Sequence, residues 1–245
     1  MLTYHTPLDL VRDRLPEVPV ACVRPERVSV ATAWFQDKFP GEVLYAVKAN
    51  PSPWALDAVY AAGQRWFDVA SENEIELVAS RFPDAKLAFM HPVKSRRTIE
   101  RAYVEYGVRV FALDCEAELE KIVAATKGAS DLTLVVRLAV SNAEAGYALS
   151  GKFGVSEEAA PALLAKTRRH ADELGVSFHV GSQCMSPSAY RDAMELASRI
   201  IRAAGVTVDV VDVGGGFPSA YPGMTPPDLQ LYVDVIAQAF EDMPV

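Results

Sequence analysis

The stretch "VLYAVKANP" (residues 43–51) opens the pattern that decides the fold. Its five apolar residues, Val43 to Val47, are typical of a strand that is buried on both faces. Asn50 and Pro51 interrupt the run, so Lys48 lies at the carboxyl end of the predicted strand. A lysine at that position must extend to solvent, pair with an anion or take part in chemistry.

Similar apolar runs recur along the chain, and the first four begin about 20 to 23 residues apart. Segments with helical apolar spacing lie between most of them, for example at 71–82, 115–126 and 187–205. Apolar strands that alternate with amphipathic helices indicate a parallel sheet covered by helices, and the compact spacing favours a (β/α)8 TIM-type barrel over an open doubly wound sheet. The six further runs are "WFDVA" from 66, "KLAFM" from 86, "VRVFAL" from 108, "LTLVVRLAV" from 132, "VSFHVG" from 176 and "VDVVDVGGG" from 208.

The pattern contains seven strands, whereas a TIM-type barrel has eight. After the seventh run, residues 225–243 are predicted to form a helix that is capped by Thr225 and has Pro226 in its first turn. We therefore expect the eighth strand to be missing from this chain. Residues 1–28 are expected to form an N-terminal segment that partners an absent β domain, and residues 29–245 to form the incomplete barrel.

Composition excludes several classes of function. The 245 residues are 50% hydrophobic and carry a net charge of −8, which argues against disorder and against nucleic-acid or anionic-membrane partners. The densest basic cluster, "KSRRTIER" (94–101), is expected to form the solvated start of a helix. Three scattered cysteines predict neither a disulfide framework nor a metal site. With no signal peptide or apolar span of about 18 residues, a cytoplasmic location is expected.

Polar residues follow the predicted strands at the edge where barrel enzymes place their active sites. Three consecutive glycines after the seventh strand would let backbone N–H groups surround an anion such as phosphate, although a tight turn would also use glycine. The candidates are Lys48, Asp68, Ser71, His91, Asp114, Arg137, His179, Ser182, Gly214, Gly215 and Gly216.

Lys48 has two interpretations at this point. An amine in a partly apolar pocket loses its charge more easily, and a neutral amine forms a Schiff base with an aldehyde such as that of pyridoxal phosphate. Alternatively, Lys48 pairs with a carboxylate such as Asp68. His179 either stacks on a cofactor ring or bonds a neighbouring carbonyl. Ser182 either donates to phosphate or caps the helix near Pro187.

The motifs "YAVKANP", "FDVASENEIE", "KFG", "FHVGSQ" and "DVGGGFP", in this order from about residue 17 to the end, resemble the fold-type III pyridoxal-phosphate-dependent decarboxylases. This family includes ornithine, lysine, diaminopimelate and arginine decarboxylases, and its barrel is related to that of alanine racemase. "GGGFP" and "LSGKFG" (149–154) are most like the ornithine decarboxylase branch. Lys152 in the second motif resembles a residue near the family's dimer contact.

The resemblance implies a role for each matching residue. Lys48 would form the Schiff base with pyridoxal phosphate, and His179 would stack on the pyridine ring. Asp68 and Glu74 would support the cofactor's surroundings, and Arg137 would lie near it. The remaining matches are phosphate ligands, namely Ser182, Gly214, Gly215 and Gly216.

The chain also departs from the family pattern, because it lacks the Glu-Pro-Gly-Arg motif of the eighth strand and the C-terminal β domain. The resemblance implies decarboxylation of a basic amino acid, ornithine or lysine foremost, to a polyamine-type amine by a homodimer, with low activity of the isolated chain. The alternatives are a single-barrel protein that binds pyridoxal phosphate without catalysis, a racemase, and a barrel that binds another phosphorylated metabolite.

Overall fold

The computed structural model describes residues 2–140, 145–147 and 152–245, of which 145–147 are described by their backbone alone. The strands are β1 (Leu44–Ala46), β2 (Trp66–Val69), β3 (Lys86–Phe89), β4 (Val110–Leu113), β5 (Thr133–Arg137), β6 (Ala145–Tyr147), β7 (Glu173–Ser177), β8 (Ser182–Cys184) and β9 (Val210–Asp212). The helices are α1 (Pro7–Arg14), α2 (Pro25–Lys38), α3 (Pro53–Ala61), α4 (Glu72–Arg81), α5 (Arg96–Val104), α6 (Glu116–Ala125), α7 (Ala160–Arg168), α8 (Ser188–Ala204) and α9 (Leu229–Glu241).

Seven of these strands form one parallel sheet in the order β1-β2-β3-β4-β5-β7-β9. Each of them comes from one of the seven predicted apolar runs, so the predicted parallel α/β architecture is confirmed. The curl of the sheet is visible from a contact between its two ends. Phe35 of α2 contacts Phe217, just beyond β9, with ring centroids 5.3 Å apart. Since α2 leads into β1, the contact brings the two edges of the sheet together as a partial TIM-type barrel.

Alternating side chains give the sheet two apolar faces. On β3, Leu87 and Phe89 belong to the main core, which includes the buried faces of the helices. Ala88 belongs to a smaller cluster with Ala112 and Val135 on the opposite face. The two sets separate because successive strand residues point to opposite faces.

Several predicted boundaries were wrong. The sixth sheet strand ends at Ser177, so His179 and Ser182 lie beyond it, and Ser182 instead begins β8. This short strand pairs antiparallel with β6, a two-stranded ladder that was not predicted. Ser182 therefore does not cap α8, whose N-cap is Pro187.

The N-cap of the last helix lies three residues later than predicted. Thr225 is not its cap; Asp228 is, because the carboxylate of Asp228 accepts a hydrogen bond from the Gln230 N–H at 2.9 Å. The consecutive prolines 226 and 227 explain the shift, since the residue before a proline is pushed out of the helical conformation.

Helix α1 in the N-terminal segment is exposed to solvent. Helix α1 has no buried residue, and its apolar side chains Leu8 and Val11 are exposed. The predicted domain boundary at residue 28 falls within helix α2. The division into two domains at this point stays a prediction. Across the described residues, every helix is too short or too polar to cross a membrane.

Lys94 does not lie in the solvated cluster predicted for residues 94–101. Its side chain is 0% exposed and pairs with Glu118 at 3.1 Å. The ammonium also donates to the carbonyl oxygens of His91 at 2.9 Å and Ala112 at 2.5 Å, so it joins the loop after β3 to β4. Burial lowers the pKa of Lys94 to about 8. The cluster pattern failed here because the burial of Lys94 depends on partners distant in the sequence.

Replacing Lys94 with methionine is expected to lower the free energy of unfolding by about 3 kcal/mol, because it leaves buried carbonyls and Glu118 without this donor. Urea unfolding measures the change. Lys86→Met is the matched control, since Lys86 is exposed at the start of β3. Equal stability of the two variants would contradict the structural role of Lys94.

Candidate functional site

Lys48 lies just past β1, in a single 3₁₀ turn formed by Val47–Ala49. Its ammonium pairs with Asp68 of the neighbouring strand β2, with Nζ 2.7 Å from Oδ2. The partly apolar pocket expected for this lysine is wrong, because 57% of the side chain is exposed. The structure shows the pairing with a carboxylate, which holds the amine at the mouth of the barrel.

Two buried side-chain oxygen atoms have no hydrogen-bond partner in the described part of the chain. They are Oδ1 of Asp68 and Oγ of Ser177, at the end of β7. Buried polar atoms without partners are rare and usually mark a binding site or an ordered water. Both atoms thus leave hydrogen-bonding capacity for a polar ligand.

Arg137 and Asp212 provide opposite charges inside the barrel. Each pairs in register with Ser177, so the three residues share one row across β5, β7 and β9. Burial lowers the pKa of Arg137, and the nearby carboxylates of Asp212, Asp68 and Asp114 oppose that shift. Burial likewise raises the pKa of Asp212. Asp212 was not predicted as a site residue, although an aspartate that ends an apolar strand was a signal for one.

His179 is held as a neutral ring. Its Nδ1 accepts a hydrogen bond from the Gly181 N–H at 2.9 Å. Burial, together with the positive charges of Arg137 and Lys48, lowers the pKa of His179 to about 4. Lys48 follows β1, at one edge of the sheet. His179 follows β7, which neighbours the opposite edge strand β9. The effect of Lys48 on His179 therefore reflects the curl that gathers these strand ends around one mouth.

This environment makes stability depend on pH. The unfolded chain binds a proton at His179 below about pH 6.5, but the folded chain binds it only below about 4. Lowering the pH through this window therefore favours the unfolded state. We expect the free energy of unfolding to fall more steeply from pH 6.5 to 4 in the parent protein than in His179→Gln. Urea titrations at several pH values measure both slopes, and equal slopes would contradict the buried neutral histidine.

The glycine run after β9 folds into a tight loop against the segment after β7. Gly214 and Gly216 have φ angles of 69° and 108°, which favour glycine. A Cβ atom on either residue would clash with a backbone carbonyl of residue 178 or 181. The Asp212 carboxylate accepts a hydrogen bond from the Gly214 N–H at 2.8 Å. Among the described residues, the N–H groups of Gly215, Gly216 and Phe217 have no hydrogen-bond partner, so they are available to an anion.

The other predicted residues lie around this centre. Ser182 is exposed in β8, next to the contact between Gly181 and the glycine loop. Glu74 accepts a hydrogen bond from the Ala70 N–H at 2.7 Å and shapes the turn after β2. The His91 ring packs edge-to-face with the Phe153 ring, at a centroid distance of 5.0 Å. Lys152 is exposed, and the preceding residues 149–151 of its motif lie outside the described residues.

The site thus combines an amine held by a carboxylate, a neutral imidazole and an anion-binding loop. The Cα of Gly215 faces His179, since a Cβ there would lie 3.6 Å from Nε2. This set suits a flat molecule that carries an aldehyde and a phosphate. In the described residues, no group of three or more histidine, cysteine or acidic side chains is arranged to hold a metal ion.

Comparison with known proteins agrees with this chemistry. Residues 26–244 match the sequence model of the pyridoxal binding domain of pyridoxal-dependent decarboxylases. The chain belongs to this decarboxylase family. A lysine/ornithine decarboxylase of Selenomonas ruminantium is 38% identical over 181 residues, which are 72% of this chain and 45% of that protein. The chain thus spans less than half the length of this relative.

Solved structures of the decarboxylase family have the same fold. Lysine decarboxylase from Selenomonas ruminantium is 30% identical and superposes with a TM-score of 0.83, over 100% of this chain and 65% of that one. Lysine/ornithine decarboxylase from Vibrio vulnificus, complexed with putrescine, is 27% identical with a TM-score of 0.79, over 97% and 63% of the two chains. The cofactor of the family is pyridoxal phosphate. The unpartnered loop N–H groups fit its phosphate, and Lys48 fits its aldehyde.

Proposed function

We propose that the protein decarboxylates a basic amino acid, ornithine or lysine foremost, to a polyamine-type amine. The observation that carries this proposal is the meeting of the Lys48–Asp68 pair and the unpartnered glycine N–H groups at one mouth. The names of the relatives, lysine/ornithine decarboxylases, support the substrate class.

Lys48 would hold the cofactor covalently, and Asp68 would control the proton on its amine. Bound there, pyridoxal phosphate supplies an aldehyde that reacts with amines and a ring that accepts the electron pair left when carbon dioxide departs. The Asp68 carboxylate, 2.7 Å from Nζ, is the nearest acceptor for the proton that Lys48 must lose before it attacks an aldehyde. Asp68 therefore positions the amine at the mouth of the barrel.

His179, Arg137 and the glycine loop would orient the cofactor. A neutral imidazole presents an uncharged flat surface beside a bound ring, and the Gly181 N–H fixes its orientation. The loop N–H groups and Ser182 would bind phosphate. Asp212 balances the charge of Arg137 and anchors the Gly214 N–H, so it couples the barrel interior to the loop.

We also propose that the 245-residue chain alone catalyses the decarboxylation slowly and that the active form is a homodimer. The chain spans less than half the length of the lysine/ornithine decarboxylase that it matches. The coverage of 45% of the Selenomonas relative is consistent with this proposal.

Release of labelled carbon dioxide tests the proposed reaction. The chain is loaded with pyridoxal phosphate and incubated with carboxyl-labelled ornithine, lysine, arginine or leucine. Slow release from ornithine or lysine, absent with leucine and in Lys48→Ala, is the expected result. Cofactor bound at Lys48 without release from any amino acid would favour the alternative of a protein that binds pyridoxal phosphate without catalysis.

A further inference from the structure

The carbonyl groups of the glycine loop are fixed from inside the protein. The phenol of Tyr190, on α8, donates a hydrogen bond to the carbonyl oxygen of Gly215 at 3.0 Å. The N–H of Cys184, at the end of β8, donates to the carbonyl oxygen of Gly216 at 2.9 Å. Two consecutive peptide groups of the loop are therefore oriented by donors from different elements.

Fixing these carbonyls also fixes the direction of the next N–H groups. The Gly215 carbonyl shares a peptide plane with the Gly216 N–H, and the Gly216 carbonyl shares one with the Phe217 N–H. The described residues contain no cis peptide bond, so the two groups of each plane point in opposite directions. Both N–H groups, which have no described partner, thus point away from Tyr190 and Cys184.

The Tyr190 ring is held in place by its neighbours. It is fully buried, stacks on Phe217 at a centroid distance of 5.2 Å and contacts Tyr232 edge-on at 5.9 Å. Tyr232 donates in turn to the carbonyl oxygen of Cys184 at 2.7 Å, which orients β8. Burial raises the pKa of Tyr190, so its phenol stays protonated and remains a donor.

We propose that Tyr190 is a positioning residue for the cofactor's phosphate, acting through the Gly215 carbonyl. Nothing in the helical pattern of residues 187–205 singles out this residue, because a buried aromatic residue at that position satisfies the core equally well. The proposal rests on the proposed binding of pyridoxal phosphate at Lys48. By this proposal, the hydroxyl group of Tyr190 makes the site prefer a phosphorylated ligand.

The test compares pyridoxal phosphate with pyridoxal, which lacks the phosphate. Dissociation constants of both are measured by absorption titration in the parent chain, Tyr190→Phe and Tyr103→Phe. Phenylalanine keeps the ring that stacks on Phe217 and removes only the donor. Tyr103 is the control because its phenol bonds Asp131 on the surface. Loss of one hydrogen bond should weaken pyridoxal phosphate binding by about three- to tenfold in Tyr190→Phe and leave pyridoxal binding unchanged.

An equal loss for both ligands, or no loss for either, would overturn the role of Tyr190. A parent chain that does not prefer pyridoxal phosphate over pyridoxal would also overturn it, whereas failure of both ligands to react at Lys48 would refute the proposed function itself. If Tyr190→Phe does not fold, Tyr232→Phe replaces it. That variant removes the Tyr232 donor to the Cys184 carbonyl, next to the bond with Gly216, and the same selective loss is expected.

Discussion

Replacement of Lys48 with alanine is expected to abolish covalent uptake of pyridoxal phosphate. Lys48 is the amine that Asp68 holds at the mouth, at 2.7 Å, and alanine cannot form a bond with an aldehyde. The measurement is the visible absorption band of the cofactor–protein adduct during titration. The band should form in the parent chain and be missing from the variant at every cofactor concentration.

Lys38→Ala is the matched control for this experiment. Lys38 is a partly exposed lysine that also pairs with an aspartate, Asp37, at 2.8 Å, but it lies at the end of α2 on the outer surface. Its removal should leave the band unchanged. An undiminished band in Lys48→Ala would mean that another lysine binds the cofactor.

The second large effect is expected from alanine at Gly216, because both backbone strain and a clash act there. Its φ of 108° is a conformation that alanine rarely adopts, and its Cβ would collide with the Gly181 carbonyl oxygen. The strain alone should lower the free energy of unfolding by about 1–3 kcal/mol, and the clash adds to it. Cofactor binding should weaken as well, since relief of the clash displaces the loop N–H groups.

The neighbouring glycine is a control within the same loop. Gly215 is outside the left-handed region, and a Cβ there would make an ordinary contact with His179 Nε2 at 3.6 Å. The free energy of unfolding of Gly215→Ala should therefore lie within about 0.5 kcal/mol of that of the parent chain. Urea unfolding distinguishes the two variants. If both variants were as stable as the parent chain, the loop would tolerate a side chain at both positions, which would contradict the expected strain at Gly216.

The sheet was predictable because each strand has a strong local signal. Runs such as Val43–Val47 are apolar on both faces, and the regular spacing of the runs requires parallel pairing. The same reasoning predicted where the candidate site lies, since residues that follow parallel strands meet at one edge of the sheet. Lys48 and Asp68 are 20 residues apart in sequence, yet their pairing follows from neighbouring parallel strands.

Features that depend on partners distant in the sequence were not predictable. Lys94 is buried because carbonyl groups from two chain segments and Glu118 surround it, and a basic cluster gives no indication of this. The role of Asp212 depends on Arg137 and on the loop it anchors. The phenol of Tyr190 is informative only once its acceptor, 25 residues later, is known.

The most direct test of the central claim is the location of the cofactor on the chain. The protein is mixed with pyridoxal phosphate, reduced with borohydride and digested, and the labelled peptide is identified by mass spectrometry. The label should lie on Lys48, with the accessible lysines Lys38, Lys86 and Lys152 unlabelled at equimolar cofactor. A label spread evenly over surface lysines, or concentrated on a different lysine, would contradict the assignment of this mouth as the cofactor site.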